Sequence, residues 1–176
     1  MHRNPTMDSE NRIEIINYNG EGEWSLSAVL ERYRRYCNEL SIEQQDLYPV
    51  ESIRGVKKWI YPVMDKVIKG IEQGDKACKL IGIEFIEQDQ KFPFGRILKS
   101  NTARALRRAE LSEEDKARIR RRIVHMLLVG MVPHEYKEYA KLLKGIGLGK
   151  HRTEIEALPD KANPYVMRYV RYLLGT

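Results

Sequence analysis

The chain has 176 residues and a mass of 20.7 kDa, enough for one domain with its own core. Lys and Arg total 31 against 25 Asp and Glu, a formal charge of +6, and 42% of the residues are hydrophobic. These values exclude fibrous, mucin-like and wholly disordered chains. No apolar run approaches the roughly 18 residues that a membrane span needs.

Met1 to Arg12 lack the apolar stretch of a secretory signal. Two cysteines, Cys37 and Cys78, are too few for a disulfide framework or a four-thiolate zinc site. The composition therefore predicts a cytoplasmic protein with reduced thiols, no metal, no cofactor and no membrane attachment.

Residues 1–24 are polar and hold one short apolar patch, Ile13-Glu14-Ile15-Ile16, before the turn signal Asn19-Gly20. They read as a flexible arm, with a short strand as the alternative. From Ser25 the pattern is helical. Leu26, Val29, Leu30, Tyr33 and Cys37 recur at spacings of three and four, and Ser25 is a suitable cap. Between Pro49 and Glu72 the residues Ile53, Val56, Ile60, Val63, Val67 and Ile71 keep one helical phase. That phase predicts a single helix kinked at Pro62.

Gly74-Asp75 closes that helix and caps the next, Lys76–Gln88, which is apolar almost all round and so belongs in the core. Phe92-Pro93-Phe94-Gly95 leads into a helix over Arg96–Arg108. Ser112-Glu113-Glu114-Asp115 opens another, an acidic first turn with Asp where a capping box prefers Glu. Gly130 ends it. A helix from Pro133 to Gly145 and a last one from Asn163-Pro164 to Leu174 follow. The expected fold is all-α: an orthogonal bundle of seven or eight helices over residues 25–176, a single domain, preceded by the non-helical arm.

The charge is localised. Arg96 to Arg122 contain ten basic and four acidic residues, a difference of +6 that equals the charge of the whole chain. Arg118, Arg121, Arg122 and His125 share one helical face, and Arg96 and Arg107 share another, with Lys99 beside them. Such a field attracts polyanions. The competing reading is a solvated face with ion pairs to acids elsewhere, such as Glu72 or Glu87.

Leu127 to Lys137 have the outline of a helix-turn-helix, with His134, Glu135, Lys137 and Lys141 facing outward. The bulky Met126 and the acids Glu135 and Glu138 fit that reading poorly. Gly145-Ile146-Gly147 resembles the hairpin of helix-hairpin-helix proteins, a resemblance that implies backbone amides holding a DNA phosphate. It covers about ten residues and departs from the pattern at His151 and Glu154. A glycine-capped helix end explains the same residues.

Tyr165, Tyr169 and Tyr172 alternate with Arg168 and Arg171 in the last helix, as a base-stacking platform, a packed face or a homodimer contact would require. Glu84, among Ala77, Leu80 and Ile81, is the one carboxylate that stands out as a candidate for partial burial. It is expected to pair with an arginine of the 96–108 helix, and a catalytic role would require a pocket around it. The leading expectation is a non-enzymatic protein associated with DNA or RNA through Arg96, Lys99, Arg107, Arg118, Arg121, Arg122, His125 and Lys137. The alternative is a protein-interaction module or homodimer that uses Tyr165, Tyr169 and Tyr172.

Overall fold

The computed structural model describes residues 12–159 and 163–176. It is 62% helical, with eight α-helices and a three-stranded sheet among the described residues. The sheet corrects the all-α expectation.

The first strand, β1 (Glu14–Asn17), lies in the segment expected as an arm. A 3-10 turn at Gly22–Trp24 follows it, and then α1 (Leu26–Leu40), capped by Ser25 as its side chain accepts from the Ala28 amide. Residues 1–11 of that arm lie outside the described residues. Trp24 is buried edge-on against Phe85, and its Nε1 donates to Gln88 Oε1 at 2.7 Å. One indole thus ties the start of the chain to the end of a core helix.

The single kinked helix expected over 49–72 is replaced by a hairpin and a shorter helix. β2 (Glu51–Arg54) and β3 (Lys57–Ile60) pair antiparallel around Gly55, whose φ of 58° is open to glycine at no steric cost. Pro62 does not kink a helix; it caps the start of α2 (Val63–Glu72). Proline carries no side-chain acceptor, and Asn19 supplies one instead. Its Oδ1 accepts from the Val63 amide at 2.7 Å and its Nδ2 donates to the Tyr61 carbonyl at 3.2 Å. β1 adds to β3 in parallel, giving the order β1-β3-β2. Ile53 and Ile60 sit on strands and Val56 in the turn between them, so their helical spacing is coincidental.

The other helices are α3 (Lys76–Gln88), α4 (Gly95–Arg108), α5 (Glu113–Leu128), α6 (Tyr136–Ile146), α7 (Arg152–Glu156) and α8 (Pro164–Leu174). Asp75 caps α3 by accepting from the Cys78 amide. At the start of α5 the box is complete despite its short acid: Ser112 Oγ accepts from the Asp115 amide and Asp115 Oδ2 accepts from the Ser112 amide. Asn163 caps α8, with Pro164 at its first position. α3 is the hub, packed against α1, α2, α4 and α5. Ala77, Cys78, Ile81, Ile83, Phe85 and Ile86 on it are all buried.

Gly70 lets α2 cross α3 closely. A Cβ there would run into the Cys78 side chain, whose own Cβ would lie 2.9 Å away. Gly70→Ala at a free helix site would gain about 1 kcal/mol from helix propensity. Here we expect a net loss of roughly 1–2 kcal/mol by urea unfolding, because overpacking against so short a side chain outweighs that gain. Adding Cys78→Ala should restore much of the loss. A stabilised single variant would contradict the crossing.

Candidate nucleic-acid interface

The basic stretch from Arg96 to Arg122 does not form one free face. Lys99 is only 7% exposed, and its Nζ lies 2.7 Å from Asp89 and 3.9 Å from Glu135. Asp89 follows α3 as its C-cap, so Lys99 closes a helix end and does not reach solvent. Arg122 donates to the other Asp89 oxygen at 3.1 Å. Arg118 makes a two-pronged contact with Glu87 at 2.9 and 2.5 Å, which raises the guanidinium pKa further. Arg107 lies 3.8 Å from Glu138. Arg96, Arg121 and His125 are exposed and make no ion pair among the described residues.

Two further motifs close in the same way. Arg120 donates to the carbonyls of Ile146 and Gly147 at 2.7 and 2.8 Å. The Gly145-Ile146-Gly147 turn therefore presents oxygens to an internal arginine, the opposite of an amide cradle for phosphate. Glu135, expected to face outward, is buried, as are Tyr136, Tyr139, Ala140 and Leu143.

The last candidate, Lys137, lies elsewhere. α6 and α8 pack together, and between them runs a cleft of about 160 Å³ lined by Lys137, Ala140, Lys141, Arg168, Tyr169 and Tyr172. The two helices carry five cations, Lys137, Lys141, Lys144, Arg168 and Arg171, against one acid, Glu138. Glu138 is itself buried and contacts Arg104, Arg107 and Lys141 at 3.4, 3.8 and 3.2 Å. Burial pushes its pKa up, but Arg104 and Lys141 outweigh burial and hold the carboxyl below the ordinary Glu value. It stays charged and spoken for, so the cleft keeps a cationic rim.

The tyrosines divide. Tyr169 is half-buried, packed edge-on against Tyr136 at 4.8 Å, and burial raises its pKa. Tyr172 is 39% exposed, with the Lys144 ammonium 4.3 Å from its ring centre. Tyr165 is 69% exposed. Comparison with protein-family models, curated proteins and solved structures found no match.

Sequence reasoning placed Lys137 in a recognition helix and the tyrosines at an interface, and so missed that they meet. The spacing of Lys137, Lys141 and Lys144, and of Arg168 and Arg171, could have shown two basic stripes. Nothing local in the sequence says that α6 and α8 touch.

Glu84 is bonded to Arg32 at 2.6 Å and to the Tyr36 hydroxyl, with Arg35 at 3.7 Å. Its partners come from α1, not from the 96–108 helix, and it lines none of the five principal cavities. Cys78 borders a cavity of about 590 Å³, yet burial and the neighbouring Asp75 push its thiol pKa well up, away from a reactive thiolate.

These contacts predict opposite outcomes for two neighbouring cations. Lys99→Met should cost roughly 3 kcal/mol by chemical denaturation, because it strips a buried carboxylate cluster of an ammonium. Arg121→Ala should change stability by less than about 0.5 kcal/mol. Equal effects would contradict this division of the basic stretch.

Proposed function

We propose that the protein is a non-enzymatic nucleic-acid-associated protein that holds a sugar–phosphate backbone along the α6–α8 cleft. One observation carries the reading: five cations line two packed helices whose only acid is buried and paired. Lys137, Arg168 and Arg171 are exposed and are the phosphate contacts. Tyr172 and Tyr165 offer ring faces beside them, which favours a single strand over a duplex groove. α8 lying against α6 also argues against α6 entering a major groove. The cleft is smaller than the roughly 300–1,000 Å³ of ordinary small-molecule sites, which suits a strand lying across it.

The test is fluorescence anisotropy with labelled single- and double-stranded DNA and RNA over a salt series. Replacing Lys137, Arg168 and Arg171 with Ala should weaken binding to every sequence alike. It should also lower the slope of log K against log salt by roughly one per residue. The same change at Arg96, Arg108 and Arg121 should leave most of the binding. Absence of binding at low salt, or an equal loss in both triple variants, would sink the reading.

A second reading, self-association, draws on a different surface from the tyrosines. Ile15, Lys58 and Ile53 occupy one cross-strand row, so they share a face of the sheet. Ile15 and Ile53 are both 62% exposed, and Ile13 and Val56 extend the patch at 54% and 48%. If this face joins two copies, sedimentation should give a dimer that Ile15→Asp with Ile53→Asp converts to monomer. A monomer in the unaltered protein at high micromolar concentration would remove this reading.

A further inference from the structure

The sheet carries a second surface, on the face opposite Ile15 and Ile53. Ile16, Trp59 and Ser52 form the next cross-strand row, and successive rows of a pleated sheet point to opposite faces. The pairing continues past the strands. The Tyr18 amide donates to the Ile60 carbonyl and the Tyr61 amide to the Val50 carbonyl, both at 2.9 Å. Tyr18 and Tyr61 therefore follow Ile16 and Trp59 on one face. Phe94, just before α4, joins them. Its ring meets Tyr18 edge-on at 5.0 Å, and Tyr18 meets Tyr61 tilted at 6.1 Å.

Ile16, Tyr18 and Trp59 are half-buried, yet none packs on the hydrophobic core, and Tyr61 and Phe94 are 39% and 52% exposed. A small sheet needs an apolar face packed on something. Phe94 also holds a left-handed backbone, φ 56°, a strained conformation for a residue with a Cβ. Strain of this kind collects at ligand clamps. The hydroxyls of Tyr18 and Tyr61 and the indole N–H of Trp59 make no hydrogen bond to the protein among the described residues, whereas the Trp24 indole is bonded to Gln88.

These features select an occupant that is apolar, ridged to fit between tilted rings, and rich in acceptors. A run of prolines is all three. It has no N–H, the polyproline II helix makes no internal hydrogen bonds to occupy its carbonyls, and its rings seat in aromatic grooves. Nucleobases fit less well, because they stack on open ring faces and Phe94 stands at 77° to Tyr18. Charge sets the flanks. The strands place Glu14, Lys57 and Arg54 on this face; the first two pair at 3.5 Å and Arg54 is exposed. Lys91 and Arg96, on either side of Phe94, are exposed and make no ion pair among the described residues. Such a rim complements an acidic segment.

We propose that this aromatic face binds a proline-rich, acidic segment of a partner protein in the polyproline II conformation. The surface is distinct from the α6–α8 cleft, and the proposal stands whatever that cleft binds.

The experiment uses the full chain with ¹⁵N-labelled indoles. The sequence has two tryptophans, and Trp59→Phe assigns their two N–H signals. The probes are a proline decapeptide with glutamate at both ends, the same peptide with lysine ends, a glycine–serine decapeptide with glutamate ends, and a thymidine decanucleotide. The expected result is a saturable shift of the Trp59 signal by the glutamate-flanked proline peptide, with the buried Trp24 signal unmoved. Lysine ends should weaken binding several-fold, and the glycine–serine chain should bind at least about tenfold more weakly. Tyr61→Phe, which keeps the ring and removes a donor, should weaken binding by roughly two- to tenfold. Phe94→Gly relieves the left-handed strain, so the Trp24 signal should stay in place while binding falls about tenfold. No saturable shift of Trp59 into the tens of millimolar overturns the proposal. So does equal binding of the glycine–serine chain, a preference for lysine ends, or full binding by Phe94→Gly. Tighter binding of the oligonucleotide than of any peptide overturns it too and assigns the face to bases.

Discussion

Asp89 decides where the charge of this protein goes. It ends α3, the hub of the fold, and takes Lys99 from α4 and Arg122 from α5 onto the two oxygens of one carboxylate. Three helices are thereby joined at a point where an unpaired carboxylate would be costly to bury. Arg118 and Glu87 repeat the arrangement one turn away, and Arg120 closes the turn that follows α6. The most basic stretch of the chain is in large part scaffolding, although Arg96, Arg108 and Arg121 stay exposed, and α6 and α8 bring Lys137, Arg168 and Arg171 to the surface.

α6 therefore has two characters on one short helix. Lys137, Lys141 and Lys144 give a cationic flank beside α8, whereas Glu135 and Tyr139 turn toward the Asp89 cluster. Glu138 sits between the two and is neutralised by contacts from α4 and from its own helix. A helix so divided brings a cationic surface and a carboxylate-lined cavity close together. The sheet is a third and separate surface, a wing that exposes isoleucine on one face.

Local signals in the sequence were read well where the physics is local. Ser25, Asp75, Ser112 and Asn163 cap the helices they were expected to cap, because a cap needs only residues within a turn of each other. The failure over 49–72 has the same root. Ile53, Val56 and Ile60 fit a helical stripe by spacing, but the hairpin is stabilised by β1, a strand some forty residues earlier, and Asn19 caps α2 across a similar gap. Charge behaved likewise. The count of arginines was legible, and the Glu87 pairing was foreseen as one option. That Lys99 would be buried by Asp89, or that Glu84 would turn to Arg32 and Tyr36, depends on packing that no spacing records.

The central claim is that the polyanion-binding surface lies on α6 and α8 and not on the more arginine-rich α4 and α5. Backbone amide chemical shifts, followed while a short single-stranded oligonucleotide is added at low salt, test it most directly. The account predicts that the shifted amides cluster around Lys137, Lys141, Arg168 and Tyr172. Shifts centred on Arg96, Arg118 and Arg121, with α8 unmoved, would contradict it.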